Sequence, residues 1–274
     1  MGTLYIVATP IGNLEDISAR ALRVLREASL IAAEDTRRTA KLLSHFGIAT
    51  PTTSYFEHNK LTKKDSILDR LQAGDVALVS DGGLPGVSDP GYELIREAIA
   101  RGVAVVPIPG PSAILSALVV SGLPTDSFAF LGFLPRKAND RAAVLAANAS
   151  DSRTLICLEA PHRLLDSLAD IRRELGDRRM AVCRELTKMH EEIFRGTAAE
   201  AIAHFNRGEV RGEITLVIEG RRDEPIAEAW NNARIRAALA DLIALGIERK
   251  EAAKQIAAQS GWDRREVYKI AIDI

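Results

Sequence analysis

Three loops rich in glycine and proline carry the residue types best suited to holding a small molecule. They are "ATPIGNLED" with Pro10 and Gly12, "VSDGGLPGVSDPG" from Val79 to Gly91, and "PIPGPSA" from Pro107 to Ala113. Glycine admits backbone conformations and close approaches denied to other residues, and proline stiffens a turn, so these loops suit a preformed backbone cradle. A dinucleotide or P-loop cradle is excluded: the first turn reads "ATPIGN" where GxGxxG would be needed, and no GxxxxGK[ST] occurs. Asp81, at a strand tip, suits a cationic or hydroxyl-bearing ligand, whereas phosphate favours bare amides or basic groups. The five histidines show no metal-ligand spacing with the two cysteines or with one another, so no metal site is expected.

Each loop follows an apolar run. "TLYIVAT", "LIAAED", "TTSYF", "DVALVS" and "VAVVPI" read as strands, separated by helices near Asp16–Ala28, Thr36–Phe46, Lys60–Ala73 and Tyr92–Arg101. The unbroken hydrophobicity of "VALV" and "VAVV" predicts strands covered on both faces, as in a parallel sheet between helix layers. In such a sheet ligands lie beyond the carboxyl ends of the strands, where all three loops fall. "SGLPTDSFAFLGFLP" breaks the rhythm, and "FAFLGF", "TLICLE", "MAVCRE" and "EITLVIEG" predict a second α/β domain. After "EGRRDEP" only helical periods remain. The expected domains are 1–121, 122–225 and a helical module over 230–274.

Composition sets the outer bounds. With 274 residues, 47% of them hydrophobic, the chain is globular, and a net charge of −1 means that a nucleic acid or anionic membrane must be met by a local patch. Cys157 and Cys183 sit inside apolar runs without CxxC spacing, which predicts reduced, buried thiols and a cytoplasmic protein. No run approaches the ~20 residues of a membrane span. The start lacks a basic leader, and Ile6 occupies the position where myristoylation requires Ser or Thr.

In order and spacing, "LYIVATPIGNLEDIS", "AAEDTRRT", "VSDGGLPGVSDPG", "IPGPSA", "EAPHRL", "RELTKMHEE" and "GEITLVIEG" resemble the ribosomal RNA small subunit methyltransferase I family. Its members are 16S rRNA (cytidine-2′-O)-methyltransferases of the tetrapyrrole methylase superfamily. The resemblance spans nearly the whole chain. It implies a tetrapyrrole-methylase-like fold, with S-adenosyl-L-methionine in a cleft between two α/β domains and a homodimer by analogy. The matching cofactor positions are Pro10, Ile11, Gly12, Asp81, Gly82, Gly83, Pro85, Gly86, Ser112, Ala113, Glu159 and Leu186. The implied acceptor is the 2′-hydroxyl of a decoding-centre cytidine in the small ribosomal subunit, whose proton must leave during attack.

Four polar clusters offer a base for that proton: Glu34-Asp35 with Arg37 and Arg38, Glu57-His58-Asn59, Glu159 with His162, and Arg184-Glu185 with Lys188. Glu34 and Asp35 are favoured as catalytic residues because they end the second strand, while Arg37 and Arg38 begin a helix where phosphates could be gripped. His45 and His204 read as ordinary helix residues.

The tail reads as a helix-turn-helix. Ile235, Leu239, Leu242 and Ile243 form one stripe, Ala252, Ala253, Ile256 and Ala257 a second, and Asp263-x-x-Glu266 resembles a capping box before Val267, Tyr268 and Ile270. Arg249, Lys250, Arg264 and Arg265 are candidate RNA contacts, although eight Lys or Arg against six Asp or Glu leave residues 234–274 at only +2. Glu248 stands where Ser or Thr would cap the second helix. Two other readings fit the residues: a small-molecule methylase of the same fold, for which a basic tail has no use, and a non-catalytic regulator, for which three cradle loops have none.

Overall fold

A computed structural model of the chain describes residues 2–56, 60–222 and 230–274. The chain divides into two compact units, Met1–Arg221 and Arg222–Ile274. The first contains two sheets.

The first sheet is built from β1 (Thr3–Val7), β2 (Leu30–Ala33), β3 (Thr52–Ser54), β4 (Val76–Val79) and β5 (Ala104–Ile108), all parallel, in the order β3-β2-β4-β1-β5. β2 and β4 are buried at every position, as their unbroken apolar runs require. The pleat sends Val7, Ile31, Val79 and Ile108 to one face, under α1 (Ala19–Glu27) and α2 (Thr36–His45). Leu4, Ile6, Val76 and Leu78 go to the other, under α3 (Lys60–Arg70) and α4 (Tyr92–Ala100). Ser18 begins α1 by accepting a hydrogen bond from the Ala21 amide (3.0 Å).

α5 (Ala113–Ser121), which ends where the sequence places the close of its first domain, packs on the second sheet. Ala117 and Leu118 pack on Ile156, Ala181, Cys183 and Val217 of the second sheet. A helix apolar all round gives no sequence signal as to which sheet it covers.

The second sheet comprises β6 (Phe128–Phe133), β7 (Thr154–Glu159), β8 (Arg179–Arg184), β9 (Glu192–Thr197) and β10 (Ile214–Ile218), in the order β6-β7-β10-β8-β9. Only β6 and β7 are parallel, joined by α6 (Ala138–Ala147). β10 runs antiparallel between β7 and β8 and is wholly buried. α6, α7 (Leu164–Leu175) and α8 (Ala198–Phe205) cover the face opposite α5. Strand β9 escaped the sequence reading; it pairs with β8 alone, and its polar "EIFRGT" has the short, mixed composition of an edge.

Between α6 and α7 lies a buried ion pair. The Arg141 guanidinium donates to Asp170 Oδ2 from Nε (2.6 Å) and to the Pro135 and Arg136 carbonyls, with both side chains under 10% exposed.

The second unit holds α9 (Asn232–Ala244), α10 (Arg249–Ser260) and α11 (Arg264–Ile272), packed through Ile235, Leu239, Ala252, Ala253, Ile256, Val267 and Ala271. Tyr268, expected in the apolar stripe, is exposed, and Ala271 takes the inner position. Asp263 caps α11 through the Arg265 and Glu266 amides, while Glu248 makes no side-chain cap at α10. The expected domain end at 225 lies outside the described residues. Among the described residues no helix is long and apolar enough to cross a membrane.

Candidate active site

The loops leaving β1 and β4 are sewn together. Thr9 and Gly83 exchange both backbone hydrogen bonds (2.9 Å each), and the Thr9 hydroxyl donates to the Ser80 carbonyl (3.0 Å). Gly83 has φ +86°, so only glycine holds this turn without strain. Ser112 in the third loop caps α5, accepting from the Leu115 amide (3.4 Å), and Ala113 is the first helical residue.

The first loop also touches the second sheet. A Cβ placed on Gly12 would stand 2.4 Å from Lys188 Cγ, 2.7 Å from Thr187 Oγ1 and 3.0 Å from the Leu186 carbonyl oxygen. Pro10–Gly12 and Leu186–Lys188 therefore meet face to face where the two sheets adjoin. Ile11 and Leu186 share one apolar cluster beneath the contact. Glu185 (φ +52°) and Thr187 (φ +67°) flank Leu186 in left-handed conformations, unusual above all for a β-branched residue. The Thr187 hydroxyl is buried with no hydrogen-bond partner among the described residues. Strain and an orphaned polar atom together mark a place built for something other than chain packing.

Beside these loops lies a carboxylate cluster. Glu34 follows β2 directly; its carboxylate accepts from the Asp81 amide (3.2 Å), while Asp81 accepts from the Asp35 amide (3.1 Å). Arg38 pairs with Asp81 at 3.3 Å. Burial raises the carboxyl groups of Glu34 and Asp81 above their ordinary range, and Arg38 only partly offsets this. Asp35 differs: it caps α2 through the Arg37 amide (2.8 Å), and the Arg37 guanidinium helps hold its carboxyl down at about 2. A cavity of about 150 Å³ opens next to the cluster, lined by Pro10, Leu14, Arg38, Lys41, Ser80 and Asp81 among others.

Asp89, from the same loop as Asp81, was missed as a functional candidate. Burial, followed by the Glu34 charge, pushes its carboxyl up to about 7, with the nearby Ser80 only partly opposing the shift. Nothing local in "GVSDPG" signals that environment; it arises because residue 89 folds back over Ser80 and Glu34. The neutral form is favoured in the fold, so between pH 4 and 7 the folded chain holds a proton that the unfolded chain releases, and stability falls as pH rises through that window. Asp89→Asn should remove that slope: in urea unfolding its advantage over the parent chain should be larger at pH 8 than at pH 5.

The other sequence candidates are dispersed. Glu159 is buried and satisfied within its own domain by the Ala160 amide (2.7 Å), Ser167 and Arg163, and its ionic partner is Arg163, with His162 exposed. Arg184 pairs with Glu192, and Lys188 with Glu185 and Glu213. Glu57-His58-Asn59 lies outside the described residues. His45 lies on α2 as expected; His204 lies on α8 but bonds Glu192 at 2.7 Å. Gly82, Pro85 and Gly86 line the turn between Asp81 and Asp89. Arg249, Lys250, Arg264 and Arg265 are exposed in the first turns of α10 and α11.

Known proteins share this architecture. The chain matches the Tetrapyrrole (Corrin/Porphyrin) Methylases over residues 3–202. It is 50% identical over 272 residues to the ribosomal RNA small subunit methyltransferase I of Halalkalibacterium halodurans, covering 98% of this chain and 94% of that one. The protein of the same name from Thermotoga maritima is 49% identical over 222 residues, which span all of it and 81% of this chain. Among solved structures the fold is similar to diphthine synthase (TM-score 0.64, 17% identity, 80% of this chain and 90% of that one). It is also similar to Thermus thermophilus uroporphyrin-III C-methyl transferase complexed with S-adenyl homocysteine (TM-score 0.55, 21% identity, 80% and 97%). By sequence along nearly its whole length, and by the fold that joins its cradle loops, the chain belongs to the ribosomal RNA small subunit methyltransferase I family of the tetrapyrrole methylases.

Proposed function

We propose that this protein transfers a methyl group from S-adenosyl-L-methionine to the ribose 2′-hydroxyl of a cytidine in the decoding centre of 16S rRNA, acting on the small ribosomal subunit. The observation that carries the reading is the half-buried Glu34 carboxylate, set between the interlocked cradle loops and the cationic start of α2, in a chain of this family.

The residues fit the cofactor. The backbones of Pro10 to Gly12, Asp81 to Gly86 and Ser112-Ala113, with Leu186 opposite, would hold it, and the Thr187 hydroxyl, without a hydrogen-bond partner among the described residues, offers a polar contact. Glu159 would act from behind, by fixing the end of β7. Bound S-adenosylmethionine supplies an electrophilic methyl carbon on a sulfonium centre. The chain supplies position and a proton acceptor. Glu34, with its affinity for a proton raised by burial, takes the 2′-hydroxyl proton. Asp35 serves by starting α2 and orienting Arg37 and Arg38 towards phosphate oxygens. Arg249, Lys250, Arg264 and Arg265 add backbone contacts from the helical unit. A cytoplasmic homodimer belongs to the same reading, supported by Leu115 and Val119, exposed one turn apart on α5.

Substituting Gly12→Ala should weaken S-adenosylmethionine binding by about tenfold or more, since the added methyl overpacks the contact with Thr187 and Lys188 at a cost of about 1–3 kcal/mol. Calorimetric titration checks it. The reading as a whole is tested by transfer of radiolabelled methyl to unmethylated small subunits and, in parallel, to protein-free 16S rRNA, with the labelled nucleotide mapped. Label on a cytidine ribose in the subunit is expected. No label on either RNA, with S-adenosylmethionine still bound, moves the assignment to a small-molecule acceptor.

A further inference from the structure

The helix layers on the two faces of the first sheet differ in charge. α1 and α2, with its Asp35 cap, carry six cations (Arg20, Arg23, Arg26, Arg37, Arg38 and Lys41) against two carboxylates, Glu27 and Asp35. Both carboxylates are already paired, Glu27 with Arg23 and Asp35 with Arg37. The opposite layer, from Lys63 through Arg70 and from Tyr92 through Arg101, holds five cations against four carboxylates, with Arg101 tying Asp65 and Glu97 together. A chain of net charge −1 has therefore gathered positive charge on one face.

All six cations are exposed, on the sides of α1 and α2 turned away from the buried Ala21, Val24, Leu25, Leu42 and Leu43. The two helices descend side by side from the carboxyl end of the sheet, joined at their far ends where Arg26 donates to the Phe46 carbonyl (3.2 Å). Their near ends reach the cavity that Leu14, Arg38 and Lys41 share with Asp81, beside Glu34. Arg37 and Arg38 stand in the first turn of α2, where a cation opposes the helix dipole and an anion would be welcomed. Six exposed cations, Arg20 and Lys41 outside any ion pair among the described residues, suit a polyanion held through its backbone, read by shape.

We propose that the outer face of α1 and α2 is the surface on which the RNA backbone docks, leading the acceptor ribose into the cavity beside Glu34. The inference rests on the substrate reading given above. The helical unit is secondary in this arrangement. The Thermotoga maritima relative, matched over its whole length by 222 residues, has room for little more than the counterpart of Met1–Arg221.

The test is the double variant Arg20→Glu/Lys41→Glu in the full chain, assayed for methyl transfer to small subunits over a range of salt. KM for the subunit should rise at least tenfold while the Kd for S-adenosylmethionine stays within twofold. The plot of log(kcat/KM) against log[salt] should flatten by roughly 1–2 units, at about 0.7–0.9 per lost phosphate contact. Arg20→Lys/Lys41→Arg should restore both. Unchanged KM and slope in the charge-reversed protein would overturn the docking surface while leaving the substrate reading intact. A parent protein that labels no RNA would instead sink the substrate reading. Should the reversed form lose its fold, Arg20→Ala/Lys41→Ala is read by the same slope.

Discussion

Glu34→Gln is expected to lower kcat for methyl transfer by about 10²–10⁴-fold, the contribution of a positioned general base, while leaving the Kd for S-adenosylmethionine nearly unchanged. Glutamine preserves the shape and keeps an oxygen to accept the Asp81 amide, so the loop should hold its position and only the proton acceptor is lost. Single-turnover measurement separates the chemical step from product release. Asp35→Asn should have a much smaller effect, because Asp35 works as a helix cap and asparagine caps nearly as well. Retention of more than a third of the parent rate in Glu34→Gln would remove Glu34 from the role and leave Asp89 as the base. The pH profile adds an independent check: were Asp89 the base, the rate would rise with pH through about 7, and Glu34→Gln would leave that rise in place.

The largest stability effect is expected far from that site. Asp170→Ala strands the Arg141 guanidinium between α6 and α7 with only two long carbonyl contacts (3.3 and 3.4 Å). Removing one partner of a buried pair typically costs 3–5 kcal/mol, because the remaining charge is uncompensated, whereas an exposed pair such as Arg23–Glu27 contributes about 0–1 kcal/mol. At roughly 2–4 °C per kcal/mol for a domain of this size, the melting temperature should fall by about 6–20 °C. Losing both partners together, as in Arg141→Met/Asp170→Leu, should recover most of that loss. A melting curve for Asp170→Ala within 2 °C of the parent would mean that water reaches Arg141.

The centre of the parallel sheet was legible because full burial on both faces leaves its mark on sequence, as in "VALV"; "VAVV" carried the same mark but forms the edge strand β5, where Ala104 is exposed and Val105 and Val106 are only half-buried. The joined turns after β1 and β4 were legible because a positive φ, as at Gly83, selects glycine. Caps were legible too, as Asp263 demonstrates, and Asp35 obeys the same rule at the start of α2. What stayed hidden depends on distant neighbours. The carboxyl of Asp89 answers to its own burial and to the Glu34 charge, Thr187 reaches Gly12 across the chain, and α5 is placed by a sheet formed later in the chain. The edge strand β9 was hidden for the opposite reason: paired on one side only, it needs few of the residues that announce a strand.

Strand order has a consequence for the making of the chain. β1 lies inside the first sheet, yet its partners are β4 and β5, and Val76 follows Val7 by 69 positions. At about 5–20 residues per second, the apolar "TLYIV" leaves the ribosome and waits about 3–14 s before its earliest partner is synthesised. The second sheet repeats the pattern, since β10, its middle strand, is also its last to be made. Neither sheet can close early, and the two-sheet unit is complete only when Ile218 has emerged. Throughout that interval the nascent chain presents open strand edges, a natural client for holding chaperones.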